Sequence, residues 1–428
     1  MMQEAFLHFI WQHQYFDKTG LLSEEGTAVN ILETGTLNSD SGPDFQGARI
    51  EIDKLDWRGN VEIHTKASDW DIHGHSQDVA YDNVILHVVW EADKQVLRTD
   101  GTKIPTIALK GRVPEYLPQR YKRLVNSSHK IPCETHLPDV DEVKKRAMLD
   151  KACMERLFQK SRDVIAVLER NGNDWDETAY QLLSKNFGFK TNADQFFRLS
   201  ELTPMKLLMK HTDNLMQVEA LLFGQAGFLE GETDDTYFQN LKKEHHFLSV
   251  KYALKEPLSR HQWKFMRLRP ANFPTLRIAQ LAGVLCHPTG LHSRLLEIKD
   301  KTQLSDIFRK GETSDYWKKH YQFNKCSTSP VSSFGLGSAE NIVVNTVVPI
   351  LVAYGKVRDE QTYIDQAVAL LQALSPENNK IIRIMKDNHM IPVSALDTQG
   401  MIQLYNQFCI KKRCLKCNIG VDILKKEV

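Results

Sequence analysis

A chain of 428 residues, 42% of them apolar, carries enough material for two or three domains with packed cores and is not an intrinsically disordered polymer. Its 55 Lys and Arg balance 54 Asp and Glu, which excludes a global basic field, so any nucleic-acid contact has to come from a local patch. The first residues lack the basic and long apolar runs of a secretory signal and no other stretch reads as membrane-spanning, so a soluble, cytoplasmic protein without membrane contact is expected; the sequence points to no protein partner.

Residues 4–15 set Phe6, Phe9 and Ile10 at helical spacing, which predicts a first helix ending toward Gly20. Strand-like segments follow at 29–33, 48–52, 60–66, 83–90 and 103–109, separated by Gly, Asp, Asn and Ser, with a loop and short helix expected within 68–81. From about residue 140 the period becomes helical. Leu157, Ser161, Val164, Ile165 and Leu168 share one face of a helix closed by Asn171-Gly172, and Thr203-Pro204 and Phe273-Pro274 read as helix starts. Helices continue to about 320. A Ser/Gly-rich loop is expected at 327–338, then helices at 341–354 and 360–374. The pattern predicts an α+β chain: a mixed-sheet domain at 1–135, a helical domain at 136–325 and a C-terminal helical part at 326–428.

Two motifs in the strand-rich part carry chemistry. Ser41-Gly-Pro-Asp-Phe45 places Asp44 after a tight turn, and Gly59-Asn-Val-Glu-Ile-His-Thr-Lys66 alternates so that Glu62, His64 and Lys66 share one face of a strand. The carboxylates of Asp44 and Glu62 suit magnesium or manganese, and a cation there would activate water and stabilise charge on a scissile phosphate, with His64 to orient or deprotonate the water. The plainer alternative is a solvent-facing hairpin with ordinary charges. His73-Gly-His75 offers two imidazoles to a transition metal or merely decorates a loop, and His87, inside an apolar strand, is either a hydrogen-bonded core histidine or part of a site.

Farther on, Arg267, Arg269 and Arg277, with Lys264 and Asn272, cluster at a helix start, which suits phosphate; the alternative is a set of Arg–carboxylate pairs tying helices together. The two glycines within 221–228 read as a packing device. Cys133, Cys153, Cys286 and Cys326 are scattered without a disulfide framework, whereas Cys409, Cys414 and Cys417 follow C-x₄-C-x₂-C spacing. That spacing suits zinc or an iron–sulfur cluster, and Lys411, Lys412, Arg413 and Lys416 favour the thiolate form while making a local basic patch. Four ligands are normally required. Cys326 is the first candidate for the fourth, with a histidine or another cysteine as alternatives, and three reduced structural thiols as the plainer reading.

Taken as a group, Gly42-Pro-Asp-Phe45, Gly59 to His64, Ser68-Asp-Trp70, His73-Gly-His75, Asp78, Tyr81 and the run from Asn83 to Val89 resemble the bacterial family catalogued as domain of unknown function 2851. Leu222-Phe-Gly-Gln-Ala-Gly227, the run from Arg269 to Ala282 and the terminal cysteines look like it too. The order helix, three strands, short helix, strand, with Pro43-Asp44 before a hairpin and Glu62-Ile-His64 on its second arm, is also similar to the PD-(D/E)XK nuclease superfamily. That resemblance covers roughly residues 1–110 and implies a restriction-endonuclease-like sheet, Asp44 and Glu62 as metal ligands, and metal-dependent cleavage of DNA or RNA. The superfamily's lysine, two residues after the second acid, falls here on His64, which leaves a non-catalytic nucleic-acid-binding or scaffold protein as the alternative. Some of those nucleases carry a cysteine-bound iron–sulfur cluster.

Overall fold

The computed structural model describes residues 3–300, 302–303, 307–308, 313–331 and 333–426. Parts of the expected helical run near 301–312, and Ser332 in the expected loop, lie outside them. The chain divides into two compact units, 1–148 with 405–428, and 149–404. The breaks expected at 135/136 and 325/326 do not mark this division, because the last residues belong with the sheet-bearing unit and 326–404 with the helical one. Sequence spacing carries no sign of such a return.

In the first unit, helix α1 (Glu4–His13) buries Phe6, Leu7, Phe9, Ile10 and Trp11 and stops where Gln14 turns to φ +53°. Each such side chain contributes about 1.5–3 kcal/mol by leaving water, which holds the helix against the sheet. The strands are β1 (Val29–Glu33), β2 (Thr36–Leu37), β3 (Phe45–Ile52), β4 (Leu55–Lys66), β5 (Val84–Glu91) and β6 (Thr106–Ala108), in the spatial order β1-β3-β4-β5-β6 with β2 beside β3. Pairing is antiparallel among β1, β2, β3 and β4 and parallel from β4 through β6. The sheet is therefore mixed, as expected from the sequence.

Asp53 and Lys54, both at positive φ, make the two-residue turn between β3 and β4, the backbone that matches strand twist in a tight hairpin. Gly59 sits where β5 begins beside β4; a Cβ there would meet Ile85 Cγ2 at 2.5 Å and the Asn83 carbonyl oxygen at 2.7 Å. Between β4 and β5 run the short helix α2 (Asp69–Ile72) and the 3₁₀ turns His75–Gln77 and Val79–Tyr81. Trp70, fully buried, packs with Ala67, Val84, Val89, Val96 and Ile104 beneath them. Helix α3 (Tyr116–Asn126) follows the sheet.

Helix α4 (Glu142–Arg170) contains the division between the units. The second unit is helical around one large core that includes Tyr180, Phe187, Phe196, Phe223 and Trp317. The glycines of 221–228 act as packing residues: a Cβ on Gly224 would lie 2.0 Å from the His245 ring, and one on Gly227, at φ +72°, 2.0 Å from the Leu258 carbonyl oxygen. Contrary to the sequence reading, one helical stretch, Leu336–Arg358, is long and apolar enough to cross a membrane, with mean hydropathy 1.5 over its best window, and 67% of that window is buried inside the unit. A π-helical turn, Val343–Val347, interrupts it.

Candidate functional site

The parallel pairing of β4 with β5 sets Glu62 opposite His87 and His64 opposite Val89, so Glu62, His64 and His87 share one face. The loop before β3 brings Asp44 to the same place. The two acids are locked reciprocally: the Asp44 amide donates to Glu62 Oε2 at 3.0 Å, and the Ile63 amide donates to Asp44 Oδ2 at 3.0 Å. From α1, His8 Nε2 reaches Asp44 Oδ2 at 3.1 Å. Helix α2 and the turn after it deliver His73 and His75. Thus the acid pair and the separate histidine pair of the sequence form one cluster.

Glu62 Oε1 lies 3.3 Å from His75 Nε2 and 3.5 Å from His64 Nε2. His64 Nε2 is also 3.1 Å from His73 Nδ1, while His64 Nδ1 is 2.9 Å from His87 Nε2. One ligand atom from each of His64, His73 and His75 falls within 4.8 Å of the others. The cluster has a floor and a mouth. Tyr81 stacks on His75 with ring centroids 3.7 Å apart, Trp70 meets the His64, His75 and His87 rings edge-on, and His73 is exposed.

Burial dominates the electrostatics. Desolvation, reinforced by the neighbouring imidazoles, pushes the His64 pKa down to about 3, and desolvation with His75 does the same to His87. Both rings are neutral at physiological pH and offer lone pairs. Burial raises the Glu62 carboxyl, with the Asp44 charge adding to the effect and the His75 contact opposing it. Tyr81 is lifted to about 12 by burial and by the charges of Glu62 and Asp44. An acid–imidazole set of this kind can bind a borderline divalent metal, for which imidazole and carboxylate are suitable donors.

Lys66, on the same strand face, is exposed and acts on Asp93. It is not among the groups that meet Glu62. His8 was not singled out from the sequence; the signal was Glu4 and His8 one helical turn apart on α1. Burial and the Asp44 charge raise Glu4 too.

The other expected sites fare differently. Arg277 is buried, donates to Gln280 at 3.0 Å, Asn272 at 2.7 Å and Ser338 at 3.3 Å, and lies over the Phe189 and Phe334 rings. Its guanidinium ties the helical unit together through amides and aromatic faces rather than reaching solvent phosphate, which corrects its reading as a substrate-binding residue. Arg267 and Arg269 are exposed. Cys326 is exposed on a short hairpin of the helical unit, and its thiol donates to the Ser327 carbonyl at 3.7 Å. Cys409, Cys414 and Cys417 lie in the sheet-bearing unit, where the thiol acting on them is Cys133.

The family described as a protein of unknown function (DUF2851) matches residues 4–380. The chain belongs to this family. The match takes in the whole acid–imidazole cluster and ends before Cys409. No curated protein and no solved structure matches the chain.

Proposed function

We propose that this DUF2851 protein is a metal-dependent hydrolase of phosphodiesters, with DNA or RNA as substrate. The observation that carries the reading is the convergence of His64, His73 and His75 nitrogens within 4.8 Å, with Glu62 Oε1 3.3 Å from His75 and 3.5 Å from His64. A cation held among the carboxylate and the imidazole nitrogens would be attracted to all of them at once. Mixed imidazole and carboxylate donors favour manganese or zinc over magnesium, which takes oxygen ligands and keeps its waters. A bound ion would lower the pKa of a water and neutralise charge on the scissile phosphate.

His64 acts in this reading as a ligand rather than as the group that orients or deprotonates the water. A ring whose pKa is held near 3 by burial cannot keep a proton taken from water at neutral pH. In the tautomer that frees Nε2, its Nδ1–H donates to His87 Nε2, which fixes the ring as an outer-shell partner fixes a metal-bound histidine. The part-exposed Asp44–His8 pair, 3.1 Å apart, stands beside Glu62 and is the group placed to take the proton. Support for the nuclease-like, PD-(D/E)XK reading of the sheet comes from the antiparallel β3–β4 hairpin followed by parallel β5 and β6, with α1 packed on β4.

Purified protein supplied with manganese or zinc is expected to cut DNA or RNA, and Asp44→Ala, Glu62→Ala and His75→Ala to abolish cutting without unfolding. His8→Ala should lower the rate by about 10²–10⁴-fold with metal content unchanged. Undiminished cleavage by Glu62→Ala would end the assignment. The exposed position of Lys66 favours a second reading, a protein that binds nucleic acid without cutting it; salt-sensitive affinity with no turnover under any metal would select it.

A further inference from the structure

Four cysteines, Cys133 and the three near the C-terminus, belong to the sheet-bearing unit. Cys133 immediately precedes the 3₁₀ segment Glu134–Asp139, beyond α3. The other three are set by a succession of tight turns. The π-helical turn Leu404–Cys409 is followed by a reversal in which the Lys412 amide donates to the Cys409 carbonyl at 3.1 Å and the Arg413 amide to the Phe408 carbonyl at 2.9 Å. Cys414–Lys416 is a 3₁₀ turn closed by the Cys417 amide on the Cys414 carbonyl at 3.2 Å. The helix Asn418–Lys425 then lies so close to this turn that a Cβ on Gly420 would come 2.4 Å from the Cys414 carbonyl oxygen.

The C-terminal segment is tied to α3, which leads to Cys133: Lys412 Nζ donates to the Val125 carbonyl at 2.6 Å and Arg120 Nη1 to the Leu424 carbonyl at 3.4 Å, and the charges of Cys133, Cys414 and Cys417 all act on Cys409. All four are free thiols, and Cys133, Cys414 and Cys417 are 7–8% exposed. Four free thiols of one unit, two of them at C-x₂-C spacing on a tight turn, supply the ligand type and number of a tetrathiolate centre.

We propose that Cys133, Cys409, Cys414 and Cys417 are the ligands of one thiophilic metal centre, zinc or an iron–sulfur cluster, that clamps the 405–428 segment onto the turn after α3. The centre is separate from the acid–imidazole cluster and stands or falls without it. Closing so long a loop in sequence by one cross-link removes much of the freedom of the unfolded chain, so the metal contributes folding energy to this unit.

The test uses the full chain, purified without oxygen. Iron with acid-labile sulfide and visible charge-transfer absorption identifies a cluster; a colourless protein with bound zinc identifies the mononuclear form. After metal removal, added cobalt should give the thiolate-to-cobalt charge-transfer band, which reports sulfur ligands alone and so ignores metal at the histidines. Cys133→Ser and Cys417→Ser should lose the band, and Cys326→Ser should keep it. Cys133→His, which retains a ligand, should still bind cobalt with a weaker band, and this guards against loss by misfolding. A wild-type protein with neither a native iron–sulfur spectrum nor a thiolate–cobalt band overturns the proposal, as does a band that survives Cys133→Ser or disappears in Cys326→Ser.

Discussion

His87→Phe tests whether the neutral imidazoles under the site set the acid stability of the sheet. Folding holds His64 and His87 at pKa about 3, against about 6.5 in an unfolded chain. Between those values the unfolded chain binds protons that the folded one refuses. Their favourable neutral state is therefore fully present above about pH 6.5 and is lost as pH falls toward 3. Each ring adds a slope of about 1.4 kcal/mol per pH unit, roughly 3 for the pair, against a typical domain stability of about 5–15 kcal/mol. Glu62 and Glu4, both raised, pull the other way where they titrate, because the folded state protonates them earlier. Phenylalanine keeps an aromatic ring beside Trp70, removes one titrating group and takes the His87 partner from His64 Nδ1. Hydrogen exchange of β4 and β5 amides, followed from pH 7 down to pH 4 and corrected for intrinsic rates, should show a slope of opening free energy shallower by about 1.4 kcal/mol per pH unit in the variant. An unchanged slope, or a His64 resonance titrating near 6.5 in the wild type, would refute the argument.

Other outcomes follow from the packing. Gly227→Ala should cost at least about 2 kcal/mol, since the new Cβ meets the Leu258 carbonyl and the backbone is left-handed, and thermal unfolding would register it as a drop of several degrees. Arg277→Met should lower stability by about 1–3 kcal/mol through lost hydrogen bonds to Asn272 and Gln280 while leaving nucleic-acid affinity unchanged in a filter-binding assay. The exposed pair Arg267→Ala with Arg269→Ala should change stability by less than about 0.5 kcal/mol, and any loss of affinity would return these two to the interface.

Most strands and many helices were legible because their signals are local. The alternation of 60–66, the proline starting Pro274–Leu285 and the Asn171-Gly172 stop each act within a few residues. The 84–89 strand was legible by composition but not by alternation, because Ile85, Leu86, His87, Val88 and Val89 are all buried on a central strand paired on both sides. Asp44 and Glu62 were paired by reading a hairpin, and their reciprocal hydrogen bonds show why both acids face one place.

What no string carries is register between distant strands and the seating of a helix on a sheet. The sequence places His87 in an apolar strand, and only the parallel register opposite Glu62 brings its ring to His64. The same limit hid His8, whose role depends on how α1 lies over β4, and Cys133, which no spacing rule links to Cys409. The substituted position tells most. In the nuclease-like reading proposed above, His64 takes the place of that superfamily's lysine, and burial leaves the ring unable to act as a base. Here the exchange comes with His73, His75 and His87 in contact with the same ring. Position 64 therefore has to be judged with the three imidazoles around it, and in the metal-binding reading proposed above it serves as one ligand of a set rather than as a stand-in for a lysine.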